Sequence, residues 1–215
     1  VLELQIKLQA QLKKAADLAE KVKIRPELQS ECDRENEIAN LLKQRLDAEV
    51  ELSSTYKAIL ELEVKIKFYM ELLAKLPPEP ELAPYDEDSI VEGEEFVPLD
   101  SPEVIEDLRI RFELQVKISY LLNLRYRAEV KAANAVKAAY DIEKKHANYI
   151  SNQMKKTSDT KVRIKMEFQI SITFSVTTEL EYKVEYHKKR APSIKAEFEA
   201  KFEMSVRSEE RRVGK

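Results

Sequence analysis

Few side chains in this chain have the type and spacing that catalysis or metal binding requires. His146 and His187 are the only histidines, and they lie far apart in sequence. Cys32 is the single cysteine, so neither an internal disulfide nor a pair of cysteine metal ligands can form. Carboxylates are plentiful, but among forty acidic residues the proximity of two of them carries little information. The sequence therefore predicts no catalytic residue, no cofactor site and no metal site, and it predicts that the protein is not an enzyme.

Glycine is almost absent from the sequence, which argues against binding or catalytic sites that are built on glycine-containing loops. Gly93 and Gly214 are the only two glycines. Phosphate-binding loops and tight two-residue hairpins both require residues that adopt positive φ without strain. The sequence accordingly contains no phosphate-loop, dinucleotide-binding, nucleophile-elbow or HExxH motif.

Charge and composition narrow the classes of partner. The formal net charge is −3 and the sequence pI is near 5.7, so no global basic field favours nucleic acid. Charged residues make up 36% of the chain and apolar residues 43%. This mixture is typical of helices or strands with one solvent-exposed face and one buried face. We therefore expect no nucleic-acid partner.

The most regular pattern lies in residues 162–176, where apolar and polar residues alternate. Successive side chains of a strand point to opposite faces, so this alternation predicts a long amphipathic β-strand. β-branched and aromatic residues, which strands favour, are abundant in it. The apolar residues occupy every even position: Val162, Ile164, Met166, Phe168, Ile170, Ile172, Phe174 and Val176.

Similar alternation recurs elsewhere in the chain. It continues from residue 180 to Tyr186 and returns at 194–206, which predicts an antiparallel hairpin that turns near Pro192. Tyr182 and Tyr186 share the apolar parity and are interpreted as core residues. Lys188, Lys189 and Arg190 are interpreted as a solvated turn, with contact to phosphate or an anionic lipid surface as the alternative. Residues 108–120 predict a further strand, whereas 60–70 fit a strand and a helix equally well.

Alanine-rich and charge-rich segments separate these runs and predict helices. Residues 125–156 carry apolar side chains at helical spacing with no glycine or proline. Pro26 suits the first turn of a second helix that runs to about Ser53, and a shorter helix is predicted at 13–23. The predicted fold class is therefore α+β, with long amphipathic antiparallel strands combined with amphipathic helices.

The predicted domain organisation follows from composition. Residues 1–76 form a first strand and helix unit, and 108–206 form a second one that ends in the hairpin. Residues 77–107 hold six of the eight prolines and no lysine or arginine, which indicates an acidic linker or loop. The tail 207–215 resembles the translation of a sequencing-library adapter and is interpreted as non-native.

A weak internal repeat favours a duplicated strand–helix–strand unit. Residues 2–8 resemble 112–118, and 64–68 resemble 162–166. Because the alternating runs reach both termini, we expect a fragment of a longer repetitive chain.

Three functions fit such a fold. The leading hypothesis is a non-enzymatic structural or interaction scaffold that associates with itself, or with a related protein, through its long strands. The second is a membrane-active, pore-forming β-hairpin, for which about ten residues suffice to cross a bilayer. The third is binding of lipid or another apolar ligand along a long sheet. The sequence leaves the compartment undetermined.

Overall fold

The described residues of the chain are almost entirely helical. The computed structural model describes residues 1–77 and 102–212, and its elements are four α-helices and one short 3₁₀ turn. In chain order they are α1 (Leu2–Val22), the 3₁₀ turn (Pro26–Leu28), α2 (Gln29–Ala74), α3 (Pro102–Lys156) and α4 (Thr160–Arg212). No strand occurs in the described ranges, so the predicted α+β class is wrong, and with it the duplicated strand–helix–strand unit.

Each predicted strand lies inside a helix. The runs 162–176, 180–186 and 194–206 are all in α4, the run 108–120 is in α3, and 60–70 is in α2. The helices predicted at 13–23, 26–53 and 125–156 are helical in the structure. The predicted hairpin turn at Pro192 is also wrong, because α4 continues through that residue.

The alternating pattern has a different meaning on a helix. One residue turns an α-helix by about 100°, so a step of two residues turns it by about 200°. Every second residue therefore falls on nearly opposite sides of the helix. In α4, Ile164 and Phe168 are exposed while Met166 between them is buried, and in α2 Val64 and Phe68 are exposed on either side of buried Ile66. A strand-like sequence has produced helices with two opposed apolar faces.

The buried faces follow a heptad spacing. Buried residues of α4 recur every seven positions, which is the period of coiled-coil packing. This series consists of Met166, Thr173, Leu180, His187 and Ile194. Intervals of three and four connect the buried residues of α2 as well, from Ile38 through Arg45 and Leu52 to Ile59. Heptad packing explains why these segments are helices despite their strand-like composition.

Local signals fix the helix ends and support their exposed faces. The carboxylate of Asp159 accepts hydrogen bonds from the backbone N–H groups of Lys161 and Val162, at 2.8 and 3.3 Å, and so caps the start of α4. Pro102 begins α3, where its missing N–H has no intrahelical role. Exposed ion pairs four residues apart, such as Glu179 with Lys183 at 2.6 Å, support the helical surface.

The described residues form two compact units, and each is treated by itself. Unit 1 consists of Val1–Ile59 and Arg127–Ala191, and unit 2 lies within Leu60–Tyr126 and Pro192–Lys215. The core of unit 1 is rich in small side chains: Ala48, Leu52, Ile59, Ala132, Ala135, Val136, Ala139 and Leu180. The core of unit 2 is centred on Ile66, Ile118 and Leu122.

The predicted domain boundaries remain predictions. α3 begins at Pro102, within the segment 77–107 that was predicted to be a linker. Residues 78–101 lie outside the described residues, as do the last three residues of the adapter-like tail. The backbone of 207–212 continues α4.

Candidate functional site

A buried chain of hydrogen bonds joins three helices in unit 1. His187 of α4 is 1% exposed, with Nδ1 2.9 Å from Oε1 of Glu129 on α3 and Nε2 2.7 Å from the hydroxyl of Tyr56 on α2. A carboxylate can only accept, so the Nδ1–H group donates to Glu129. In the neutral ring Nε2 then accepts from the Tyr56 hydroxyl. His187 is therefore a core residue.

Electrostatics around Tyr56 keep its phenol protonated. Burial raises the pKa of Tyr56, and the negative charges of Glu129 and Glu49 raise it further. A carboxylate, an imidazole and a hydroxyl that are hydrogen-bonded in this order can relay a proton in enzymes. Here the imidazole is enclosed, and its two nitrogens bond to side chains of two other helices. The three side chains thereby join α2, α3 and α4.

Other buried charges of unit 1 also connect helices. Nε of Arg45 on α2 donates to Glu143 on α3 at 3.2 Å, and its Nη2 donates to Glu49 on the same helix. Glu35 on α2 lies 2.9 Å from Nζ of Lys14 on α1. Burial favours a higher pKa for Glu35, but hydrogen bonds from Lys14 and Gln11 outweigh burial, and its pKa is lowered. These carboxylates are acceptors for neighbouring helices.

The remaining residues that could do chemistry are dispersed. His146 is partly exposed, and its Nδ1 lies 3.8 Å from Glu143. Cys32 is buried, and its thiol donates to the carbonyl of Ala15 at 3.9 Å. Lys188, Lys189 and Arg190 belong to α4 and do not form a turn. No group of three or more potential metal ligands occurs among the described residues.

The most unusual surface of unit 1 is the side of α4 that faces away from its buried heptad. We call it the α4 outer face and define it by its exposed apolar side chains: Ile164, Phe168, Ile172, Tyr182 and Tyr186. Tyr182 is 76% exposed, Phe168 69% and Tyr186 51%. The interpretation of Tyr182 and Tyr186 as core residues is therefore wrong. Large aromatic side chains are rarely left this exposed in a contiguous row unless they meet a partner.

The centre of the α4 outer face carries no charge. Residues 168–178 contain no Asp, Glu, Lys or Arg, although charged residues make up 36% of the chain. Their threonine hydroxyls fold back onto the helix. Thr178, which is exposed, donates to the carbonyl of Phe174 at 3.1 Å, and Thr173 of the buried heptad donates to that of Gln169 at 2.9 Å. These donors are satisfied already, so covering this face would leave no threonine donor without an acceptor.

Sequence reasoning found these apolar side chains but assigned all of them to one face. The overlooked signal is the seven-residue spacing from Met166 to Ile194. It was hidden because two positions of that series, Thr173 and His187, are polar. A search for a seven-residue repeat that allows polar residues at its buried positions would have distinguished the buried face of α4 from the exposed one.

Neither the comparisons with known proteins nor the hydropathy of the helices assigns a function to this chain. No known protein family matches this chain, and neither the curated proteins nor the solved structures contain a significant match to it. Within residues 1–77 and 102–212, no helix is both long and apolar enough to cross a bilayer. The three strand-based functions predicted above are wrong, because the strands, the hairpin and the sheet they require are helices in the structure.

Proposed function

We propose that this chain is a non-catalytic helical interaction protein that pairs with a second copy of itself through the α4 outer face. The observation that carries the proposal is the row of exposed aromatic side chains on the side of α4 opposite its buried heptad. Phe168, Tyr182 and Tyr186 are each more than half exposed. A helix with two apolar faces has one face for its own core and a second face for a partner.

The exposed area is close to what a stable contact needs. Large aromatic side chains each contribute about 200 Å² of surface, so the exposed parts of these three amount to roughly 400 Å². A standard interface buries about 800 Å² on each partner. The aromatic row alone therefore supplies about half of one side of a standard interface, and Ile164 and Ile172 add to it.

A second copy matches this face in polarity. Charged groups that are buried without partners destabilise an interface, and the centres of interfaces are depleted of charge. A partner with a charged surface would lose hydration against residues 168–178 and gain no ion pair there. An identical face brings aromatic and aliphatic side chains against each other, and the hydroxyl of Thr178 at its edge is already satisfied. Self-pairing therefore buries apolar area with no uncompensated charge at its centre.

The test is the mass of the protein in solution. Sedimentation equilibrium from low to high micromolar concentration should show a dimer for the unmodified chain. The double variant Phe168→Ser/Tyr182→Ser removes two aromatic side chains from the outer face and should raise the dimer dissociation constant by about a hundredfold or more.

The matched control is Phe68→Ser. Phe68 is an exposed aromatic of α2 in unit 2, and it is not part of the α4 outer face. This variant should keep the dissociation constant of the unmodified protein. A monomer at every concentration for the unmodified chain, or equal effects of the double variant and the control, would overturn the proposal.

A further inference from the structure

We infer that α1 is a detachable helix, which swings away from α2 about the turn at residues 23–28 while the other helices of unit 1 stay packed. This motion lies within unit 1 and does not depend on self-pairing through α4. Three features favour it: α1 buries few apolar side chains, its polar contacts with α2 converge on one carboxylate, and the turn is loosely packed. Opening exposes the face of α2 that α1 covers, including Cys32.

Little of the apolar surface of α1 is buried. Its fully buried residues are Ala15 and Leu18. Leu2, Ile6 and Leu12 are each more than half exposed. The core cluster of unit 1 described above is built from residues of α2, α3 and α4. An element with few buried apolar side chains opens at a lower free energy than the core beside it. We therefore expect α1 to open before the rest of the unit unfolds.

The polar contacts between α1 and α2 converge on Glu35. Nε2 of Gln11 donates to a carboxylate oxygen of Glu35 at 2.5 Å and to its backbone carbonyl at 3.1 Å. Nζ of Lys14 lies 2.9 Å from the other carboxylate oxygen, and the Lys14 side chain is 55% exposed, so water competes for this ion pair. Arg34 of α2 lies 3.1 Å from the same carboxylate. Opening of α1 therefore leaves Glu35 with a cationic neighbour on its own helix.

The turn that joins α1 to α2 restrains α1 only weakly. Ile24 and Arg25 lie outside both helices, and hinges are a few such residues that absorb a change in backbone angles. The side chain of Ile24 is 83% exposed. An open cavity of about 530 Å³ lies at this turn, and it is lined by Leu18, Lys21, Ile24, Arg25, Leu28 and Glu31. Side chains beside a void lack contacts on that side, so the turn can change its angle with little loss of packing.

Cys32 reports whether α1 is in place. Its side chain is 4% exposed, and its thiol donates to the carbonyl of Ala15 at 3.9 Å. A reagent therefore reaches the thiol after α1 has moved or after the unit has unfolded. Because Cys32 is the only cysteine, the mass gain of the protein on reaction with iodoacetamide measures its exposure. Each rate is divided by the rate of the same chain unfolded in urea, which corrects for differences in thiol reactivity between variants.

Substitutions at the contact between α1 and α2 should speed this labelling. Leu18→Ala weakens the closed state but not the open one, in which Leu18 is in water, and should raise the rate by about a hundredfold. Glu35→Gln removes the charge that Lys14 contacts and should raise the rate by about fivefold. Leu12→Ala, the same substitution at a half-exposed position of α1, is the matched control and should change the rate by no more than about threefold. Equal rates for Leu18→Ala and Leu12→Ala would refute the inference.

A core variant distinguishes opening of α1 from unfolding of the whole unit. Leu180 is buried in the core cluster of unit 1, and Leu180→Ala should lower the urea midpoint of unfolding but leave the labelling rate without urea unchanged. Local opening exposes little surface, so the labelling rate should depend only weakly on urea below the unfolding transition. Equal acceleration by Leu180→Ala and Leu18→Ala, or a urea dependence as steep as that of unfolding, would show that Cys32 is exposed by unfolding of the unit and would overturn the inference.

Discussion

The two units hold their helices together by different means. In unit 1, alanines of α3 form much of the core, and buried polar groups cross between helices, as in Glu129 with His187 and Arg45 with Glu143. In unit 2, the core is built from larger apolar side chains around Ile118 and Leu122. In unit 2, Arg125 also donates to Glu63, but the carboxylate of Glu63 is partly exposed to solvent.

This difference between the two cores separates the strength of helix packing from the specificity of helix register. Bulky apolar side chains release much water when they are buried, but they tolerate shifts of one helix along another. A hydrogen bond between buried charged groups contributes less net free energy, yet it is lost entirely when the register is wrong. We infer that unit 2 depends mainly on the volume of its core, whereas unit 1 depends on the correct partner at each polar position.

The largest effect is expected from a cavity in unit 2. Ile118 is completely buried, and Ile118→Ala should lower the free energy of unfolding by about 4 kcal/mol, because the cavity adds to the lost burial. Urea denaturation measures this change. Val116→Ala, an exposed apolar position on the same helix, is the control and should change stability by less than about 0.5 kcal/mol. Similar losses for the two variants would show that the core of unit 2 is not packed as described.

A smaller effect is expected when the polar chain of unit 1 is broken. His187→Leu leaves the buried carboxylate of Glu129 and the hydroxyl of Tyr56 without their partner and should cost about 3 kcal/mol. The triple variant His187→Leu/Glu129→Leu/Tyr56→Phe replaces all three polar groups and should recover most of this loss. If the triple variant is less stable than the single one, the chain contributes stability of its own and the contrast with unit 2 fails.

The smallest effect concerns Glu35 and appears only in acid. Hydrogen bonds from Lys14 and Gln11 lower the pKa of Glu35 in the folded state despite its burial. Its contribution is therefore fully present above the unfolded pKa, near 4.5, and is lost as the pH falls through the lower folded value. Because Lys14 is half exposed, we expect about 1 kcal/mol. The stability difference between the unmodified chain and Glu35→Gln, measured from pH 7 to pH 3, should shrink toward low pH, whereas a constant difference would contradict the assignment.

The sequence correctly predicted the helices that carry many alanines and failed where apolar residues alternate. In residues 125–156, helical spacing and high helix propensity agree, so no conflict arises. In 162–176, parity alone points to a strand. The decision comes from tertiary packing, because Met166, Thr173 and Leu180 form one buried row only when the segment is a helix. A polar residue at a heptad position, such as His187, obscures that row in the sequence.

The candidate site was only partly predictable for the same reason. The uncharged run 168–178, with its serines and threonines, is visible in the sequence. Which of its apolar side chains remain exposed depends on the faces that α2 and α3 occupy. Likewise, the sequence does not indicate that hydrogen bonds join Tyr56, Glu129 and His187, because these residues lie far apart along the chain.

The two-faced pattern of α4 also determines what happens when the helix is lost. Residues 162–176 remain a well-formed strand sequence in the unfolded chain, rich in β-branched and aromatic residues and free of glycine and proline. Unfolded copies can therefore pair edge to edge through this segment. We expect heat denaturation to become less reversible as the protein concentration rises. Lys161, Arg163 and Lys165 carry like charges at the start of the same segment, and their repulsion between copies opposes such pairing.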